Sequence, residues 1–234
     1  MTTRRAADAR EGAGVSSAAV AERLDAVRVK IANRGRDPAA VRIVAVTKGF
    51  GPGAVSAAIA AGLGDVGENY AQELLSKAAT APDHARWHYL GQIQRNKVAR
   101  LAAVVSVWHG VDREGEGKAI ASAEPGVEAM VQVNVTGSSS RPGCRPSEVD
   151  DLVARCRQLP LDVSGLMAVG PEGDPDGTRS CFRWLAGKAS QLGLRELSMG
   201  MSDDFEVAVE EGATTLRLGR TLFGPRPRPA AVRR

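Results

Sequence analysis

Two groups of residues in this chain have the types and spacing that covalent and anion-binding chemistry require. The first is Lys48, which ends the run Ile43-Val44-Ala45-Val46-Thr47-Lys48 between Pro38 and the Gly49, Gly51, Pro52 cluster. A short β-branched run so bounded reads as a strand buried on both faces, as in parallel sheets. Lys48 then stands at the carboxyl end, where α/β folds place their chemistry. A desolvated amine there loses its proton near neutral pH and attacks carbonyl carbon; the same residue also serves as an ordinary lysine snorkelling into water. The second group is Ser198-Met199-Gly200-Met201-Ser202 with Arg217-Leu218-Gly219-Arg220-Thr221. In a barrel these are the loops after strands seven and eight, where backbone N–H groups commonly hold a phosphate. An imine-forming lysine facing a phosphate cradle is what pyridoxal 5′-phosphate (PLP) requires.

Each polar residue also has an ordinary reading. Ser202-Asp203-Asp204 serves as a helix cap in any case, and Asn69 reads equally as a strand-end turn residue. Arg217 alternates with Leu216 and Leu218, so it points into a closed sheet and needs an anionic partner, either an acidic side chain or a bound phosphate. Glu68, His88, Asn134 and Met167 complete the set expected at strand carboxyl ends. Gly62-Leu63-Gly64-Asp65-Val66-Gly67 matches the dinucleotide fingerprint by letter, but it closes a helix and enters a strand, the reverse of the required order, so it reads as helix stop and turn. His84, His88 and His109 share no helical face and have no carboxylate at ligand spacing, so no metal site is expected. Cys144, Cys156 and Cys181 are odd in number without C-x-x-C spacing and read as reduced thiols.

The elements that must position these residues alternate strictly. Residues 1–15 read as a disordered tail. Ser16 or Ser17 opens a helix with Val20, Leu24, Val27 and Ile31 on one stripe. Strands follow at Ile43–Lys48, Asp65–Tyr70, Trp87–Gly91, Val104–Gly110, Glu128–Asn134, Val163–Ala168, Glu196–Met201 and Thr215–Gly219. Helical stretches separate them, Ser147 capping the one before the sixth strand and Ser202 the one before the eighth. Eight strands alternating with helices predict a single-domain α/β fold, a (β/α)8 TIM barrel over 16–224 with an extra N-terminal helix; a doubly wound open sheet is the alternative. Residues 225–234 read as a Pro/Arg-rich tail.

Composition is that of a soluble globular domain, 43% hydrophobic and 25% charged. No apolar run reaches membrane-spanning length and the N-terminus lacks a signal-peptide centre, so the cytoplasm is expected, without membrane association. The net charge of +4 resides in the ends: seven of the 31 basic residues but only two of the 27 acidic ones lie in the two tails. With aromatics at 4%, no nucleic-acid surface is expected.

Assembled, the segments AVTK (45–48), GENYAQE (67–73), WHYLGQIQRNK (87–97), VQVNV (131–135), GLMAV (165–169) and LSMGMSDDFEVAVEEGATTLRLGRTLFG (197–224) closely resemble the pyridoxal phosphate homeostasis protein family. The resemblance implies a barrel like the N-terminal domain of alanine racemase, holding PLP as an internal aldimine on Lys48. It places Ser202, Gly219 and the position of Arg220 at the phosphate, and Asn69 and Met167 near the ring. It implies a PLP carrier or regulator of vitamin B6 and amino-acid pools, with apo PLP-dependent enzymes as candidate recipients and a monomeric state. Arg220 departs from the family's usual Thr or Ser, so backbone N–H, Thr221 or the guanidinium must compensate; Ser138 and Arg141 replace the Glu and Lys often found after Asn134. An amino-acid racemase is the alternative, but it needs a second acid/base opposite the lysine. The only tyrosines, Tyr70 and Tyr89, lie in early strands.

Overall fold

The computed structural model describes residues 15–226. Most of the expected tails, 1–14 and 227–234, lies outside the described residues. Val15, assigned to the N-terminal tail, is partly buried against the core.

The chain alternates as expected from composition and period: α1 (Ser17–Asn33), β1 (Arg42–Val46), α2 (Gly53–Ala60), β2 (Asp65–Glu68), α3 (Ala71–Ala78), β3 (Arg86–Tyr89), α4 (Arg95–Ala102), β4 (Val105–Val111), α5 (Glu114–Ala123), β5 (Glu128–Val133), α6 (Val149–Arg157), β6 (Asp162–Ala168), α7 (Pro175–Gln191), β7 (Glu196–Ser198), α8 (Phe205–Glu210), β8 (Thr215–Leu218) and α9 (Arg220–Phe223). The eight strands pair in chain order, all parallel, and close on themselves. The closing seam sets Val44 opposite Arg217 and Ala45 opposite Leu218. Closure removes the exposed edges that an open sheet would present, and the doubly wound alternative is thereby set aside.

The N-terminal helix does more than decorate the barrel. The stretch after β8 forms only the four-residue α9, too short to cover its strand. α1 packs against α2, α8 and α9, filling the vacant place in the outer ring. Its stripe of Val20, Leu24, Val27 and Ile31 is fully buried, while Lys30 and Arg34 pair with Glu206 and Glu210 on α8.

Several boundaries differ from the sequence reading. β1 ends at Val46, leaving Lys48 in the following turn. β7 stops at Ser198, short of the predicted Met201, although the Gly200 carbonyl, at a residue with φ +92°, still accepts the Arg217 amide of β8. The cap of α6 is Glu148, after a 3-10 turn at Pro146–Glu148, rather than Ser147. Gly62 and Gly64 lie between α2 and β2, as a helix stop and turn would.

Gly91 is the tightest passage near the strand ends: a Cβ there would stand 1.9 Å from the Asn69 carbonyl oxygen. Gly91→Ala therefore forces the β2 and β3 exits apart, with an expected loss of about 1–3 kcal/mol in urea unfolding. An unchanged midpoint would show that the close approach is not required.

Candidate functional site

The carboxyl ends of the strands frame a cavity of 590 Å³. Lys48 lines it, half-buried, and among the described residues its amine has no hydrogen-bond or ion-pair partner. Burial first, then the positive charges of Arg226 and Arg217, hold the amine below the ordinary lysine pKa, with Glu68 partly offsetting them.

The turn bearing Lys48 is tied on both sides. Thr47 Oγ1 donates to Glu68 Oε1 at 2.7 Å. Lys77, reaching in from α3, donates to the Thr47 carbonyl at 2.8 Å, to Glu68 Oε1 at 2.5 Å and to Glu73 Oε2 at 3.1 Å. The same Glu73 oxygen accepts the Gly49 amide at 3.0 Å. Lys77 and Glu68 are both buried, and burial raises the Glu68 pKa despite Lys77 and Thr47. Glu68, expected at the site, thus supports the turn from beneath and does not line the cavity. Lys77 escaped sequence reasoning because nothing in its helical position distinguishes it from a solvated charge; the i, i+4 acid at Glu73 is a weak signal for the pair.

Arg217 does point into the barrel, at 5% exposure, and also lines the cavity. Of the two anionic partners expected, no acidic side chain bonds it among the described residues. Nη1 donates to Ser198 Oγ at 2.7 Å and Nη2 to the Ala168 carbonyl at 2.8 Å, both neutral acceptors. Burial lowers its pKa to about 10, against the opposing pull of Asp204. A cation with only neutral contacts leaves its charge facing the cavity, where an acceptor or anion compensates it. Asn69 contributes a buried Oδ1 that lacks a donor, and Met167 an apolar wall backed by Val107 and Met130.

The seventh and eighth loops meet through Ser202, whose Oγ accepts the Thr221 amide at 3.1 Å. Ser202 is therefore not the helix cap: Asp204 holds the N-cap position of α8, and its Oδ1 accepts the Met201 amide at 2.5 Å. Gly219 and Arg220 line the cavity beside Ser202, whereas Thr221 stands behind it. The Arg220 guanidinium turns to the exposed Asp203. Of the predicted set, then, all but Glu68, His88 and Thr221 reach one cavity. The sequence reading missed Arg226, assigned to the tail, which lies against Gly49 and lines the same wall. Asn134 also lines it, its Nδ2 stapling the following loop through the carbonyls of Ser138 and Arg141. His88 is buried inside the barrel, away from the cavity walls. Among the described residues, no three His, Cys, Asp or Glu side chains stand together as metal ligands.

A family profile described as "Alanine racemase, N-terminal domain" matches residues 15–227. A Pseudomonas aeruginosa protein named pyridoxal phosphate homeostasis protein is 42% identical over 201 residues, covering 82% of this chain and 87% of its own. The structure of PipY from Synechococcus elongatus with PLP bound superposes with a TM-score of 0.75 at 31% identity, over 88% of this chain and 100% of PipY. A Bacillus anthracis alanine racemase shares the fold at a TM-score of 0.68 and 15% identity, over 94% of this chain but only 58% of the racemase.

Lys77→Met strands the Glu68 carboxylate in the interior and is expected to cost about 3–5 kcal/mol at pH 8. Glu68 already has a folded-state pKa above its unfolded value, so its ionisation weakens the fold as pH rises through that window. Without Lys77 the window widens, and the loss should shrink as pH falls toward the unfolded carboxyl range. Adding Glu68→Leu should recover most of it. Urea unfolding of both variants across pH decides; a pH-independent loss contradicts the pairing.

Proposed function

The chain belongs to the alanine racemase N-terminal-domain family and, within it, to the pyridoxal phosphate homeostasis proteins, and from that membership we propose that it binds PLP through Lys48 and holds the cofactor without turnover in intracellular vitamin B6 homeostasis. The observation carrying the proposal is the unpaired, half-buried Lys48 amine facing the same cavity as the Arg217 cation.

Bound PLP supplies an aldehyde that condenses with an amine, together with a phosphate dianion. The residues present fit it. Lys48, its proton destabilised by burial and two arginines, is the group to capture the aldehyde. Arg217 offers a fixed cation to an acceptor, Asn69 an acceptor to a donor, and Met167 an apolar surface for a ring. Ser202 and the Gly219–Arg220 turn hold the phosphate, with the backbone N–H groups there replacing the hydroxyl that Arg220 lacks.

The non-catalytic reading follows the name that the relatives share and the placement of the two tyrosines, although the carboxylates of Glu172, Asp174, Asp203 and Asp204 do line the cavity. Among the described residues no tyrosine, histidine or cysteine lines it. Tyr70 is 63% exposed and Tyr89 packs on Trp108. A racemase needs an acid/base on each face of the substrate Cα. Apo forms of PLP-dependent enzymes are the natural recipients of a cofactor so held, and the holder works as a monomer.

The wild-type protein is expected to turn yellow with PLP, and borohydride to fix the cofactor on Lys48. Lys48→Ala should lose the visible band and bind at least about tenfold more weakly, the equivalent of roughly 1.4 kcal/mol. Steady conversion of L-alanine to D-alanine, abolished in that variant, would overturn the non-catalytic assignment. Arg226→Ala removes a charge that holds the Lys48 proton loosely, so capture of PLP near pH 8 should slow about two- to fivefold at low salt and less at high salt. Equal rates at low salt would exclude Arg226 from the site.

A further inference from the structure

The barrel interior carries a line of polar side chains that the cavity does not account for. From Arg217 on β8 it passes to Ser198 on β7 at 2.7 Å, to His109 on β4 at 2.8 Å (Ser198 Oγ to Nδ1), to His88 on β3 at 2.8 Å (Nε2 to Nδ1) and to Asp65 Oδ1 at the start of β2 at 2.8 Å. Ser198, His109 and His88 are completely buried, while Asp65 reaches the surface at the amino-terminal end of the barrel. The line therefore spans the barrel from one end toward the other.

Its direction follows from donor chemistry. A guanidinium has no acceptor, so Arg217 donates to Ser198 Oγ. The Ser198 hydroxyl is then free to donate to His109 Nδ1. A neutral His109 whose Nδ1 accepts carries its proton on Nε2 and donates to His88 Nδ1. His88 in turn carries its proton on Nε2 and donates to the Asp65 carboxylate. Every proton points the same way. The reverse order is closed at the far end: the Asp65 carboxylate only accepts, so His88 carries its proton on Nε2 and a neutral His88 accepts at Nδ1. Both imidazoles are held neutral in agreement: burial first, together with Arg42, Arg86 and, for His109, Arg217, depresses their pKa values, with only Asp65 opposing at His88. At its far end Asp65 lies 3.6 Å from Arg86 Nη1 and 4.0 Å from Arg42 Nε, and those arginines are shared with Glu128 and Glu196.

We propose that these five side chains form a one-way hydrogen-bond relay that ties Arg217 to Asp65 at the opposite end of the barrel, making Ser198, His109 and His88 positioning residues that aim the guanidinium at the cavity. A carboxylate in direct contact would hold Arg217 equally well but would quench the charge it presents. The relay supplies orientation through the neutral Ser198 hydroxyl instead. Its consequence for the cofactor rests on the reading of the cavity as a PLP site, but its tautomers do not.

Long-range ¹H–¹⁵N NMR on the full chain labelled at histidine, without cofactor, reads the tautomers directly, with His84 as the third signal. His88 and His109 are expected as neutral Nε2–H tautomers, unchanged between about pH 5 and 8. An Nδ1–H tautomer at His109, or an imidazolium at either position at pH 7, overturns the proposal. Asp65→Ala, at a partly exposed position, should release His88 into a tautomer mixture; a single unchanged tautomer there also overturns it. In Ser198→Ala the visible absorbance maximum of bound PLP should shift and affinity fall on the order of tenfold, both recovering in Ser198→Thr; an unmoved maximum counts against the positioning role. A protein with the expected tautomers that never takes up PLP would sink the proposed function and leave the relay standing.

Discussion

A lysine and an arginine of like charge share one cavity because the seam between β1 and β8 leaves them no alternative. Val44 is paired with Arg217 and Ala45 with Leu218, so the exits of the first and last strands are neighbours although most of the chain lies between them. In water the two cations would drift apart. Here burial lowers the proton affinity of both groups, and at Lys48 the charges of Arg226 and Arg217 add to it. The closed sheet holds the Arg217 backbone in place, while Lys48 stands in the turn just beyond β1.

Two buried polar networks serve this pair by different means. Beneath Lys48 the Thr47–Glu68–Lys77 cluster is compact, with opposite charges in contact. It fixes a turn, and a turn is held best by short bonds to its backbone, here the Thr47 carbonyl and the Gly49 amide. Beneath Arg217 the charges are separated by a serine and two histidines. The first network stabilises a backbone position and leaves the amine between its anchors free. The second stabilises a side-chain direction and leaves the charge uncompensated where the cavity begins. The second is hydrogen-bonded along its whole length, whereas in the first Glu68 Oε2 has no hydrogen-bond partner among the described residues.

Much of this was legible in the chain. The run ending at Lys48 announced a strand exit through its β-branched content and its Gly/Pro boundary, and the stripe of Val20, Leu24, Val27 and Ile31 announced a buried helix face. Alternation of Arg217 with leucines announced an inward guanidinium. Such features depend on local period and on residue chemistry, which the sequence carries in full. Of the two anionic partners expected for Arg217, an acidic side chain or a bound phosphate, no carboxylate touches it; the carboxylate it is linked to sits on β2 and is reached only through side chains of three other strands, which no local pattern reveals. Ser202 was misread as a cap because a serine before Asp-Asp fits that role locally, whereas the Thr221 amide it accepts arrives from the next loop.

What the sequence by itself determined was the alternation of strand and helix, the number of strands, and the identity of the amine and the loops that face it. Closure decided the remainder. Which polar residues line the cavity, which support it from below, and how α1 takes the place left by the short α9 depend on strand order and register. Those arise when the buried apolar faces of all eight strands are satisfied together, and no window of neighbouring residues contains that condition.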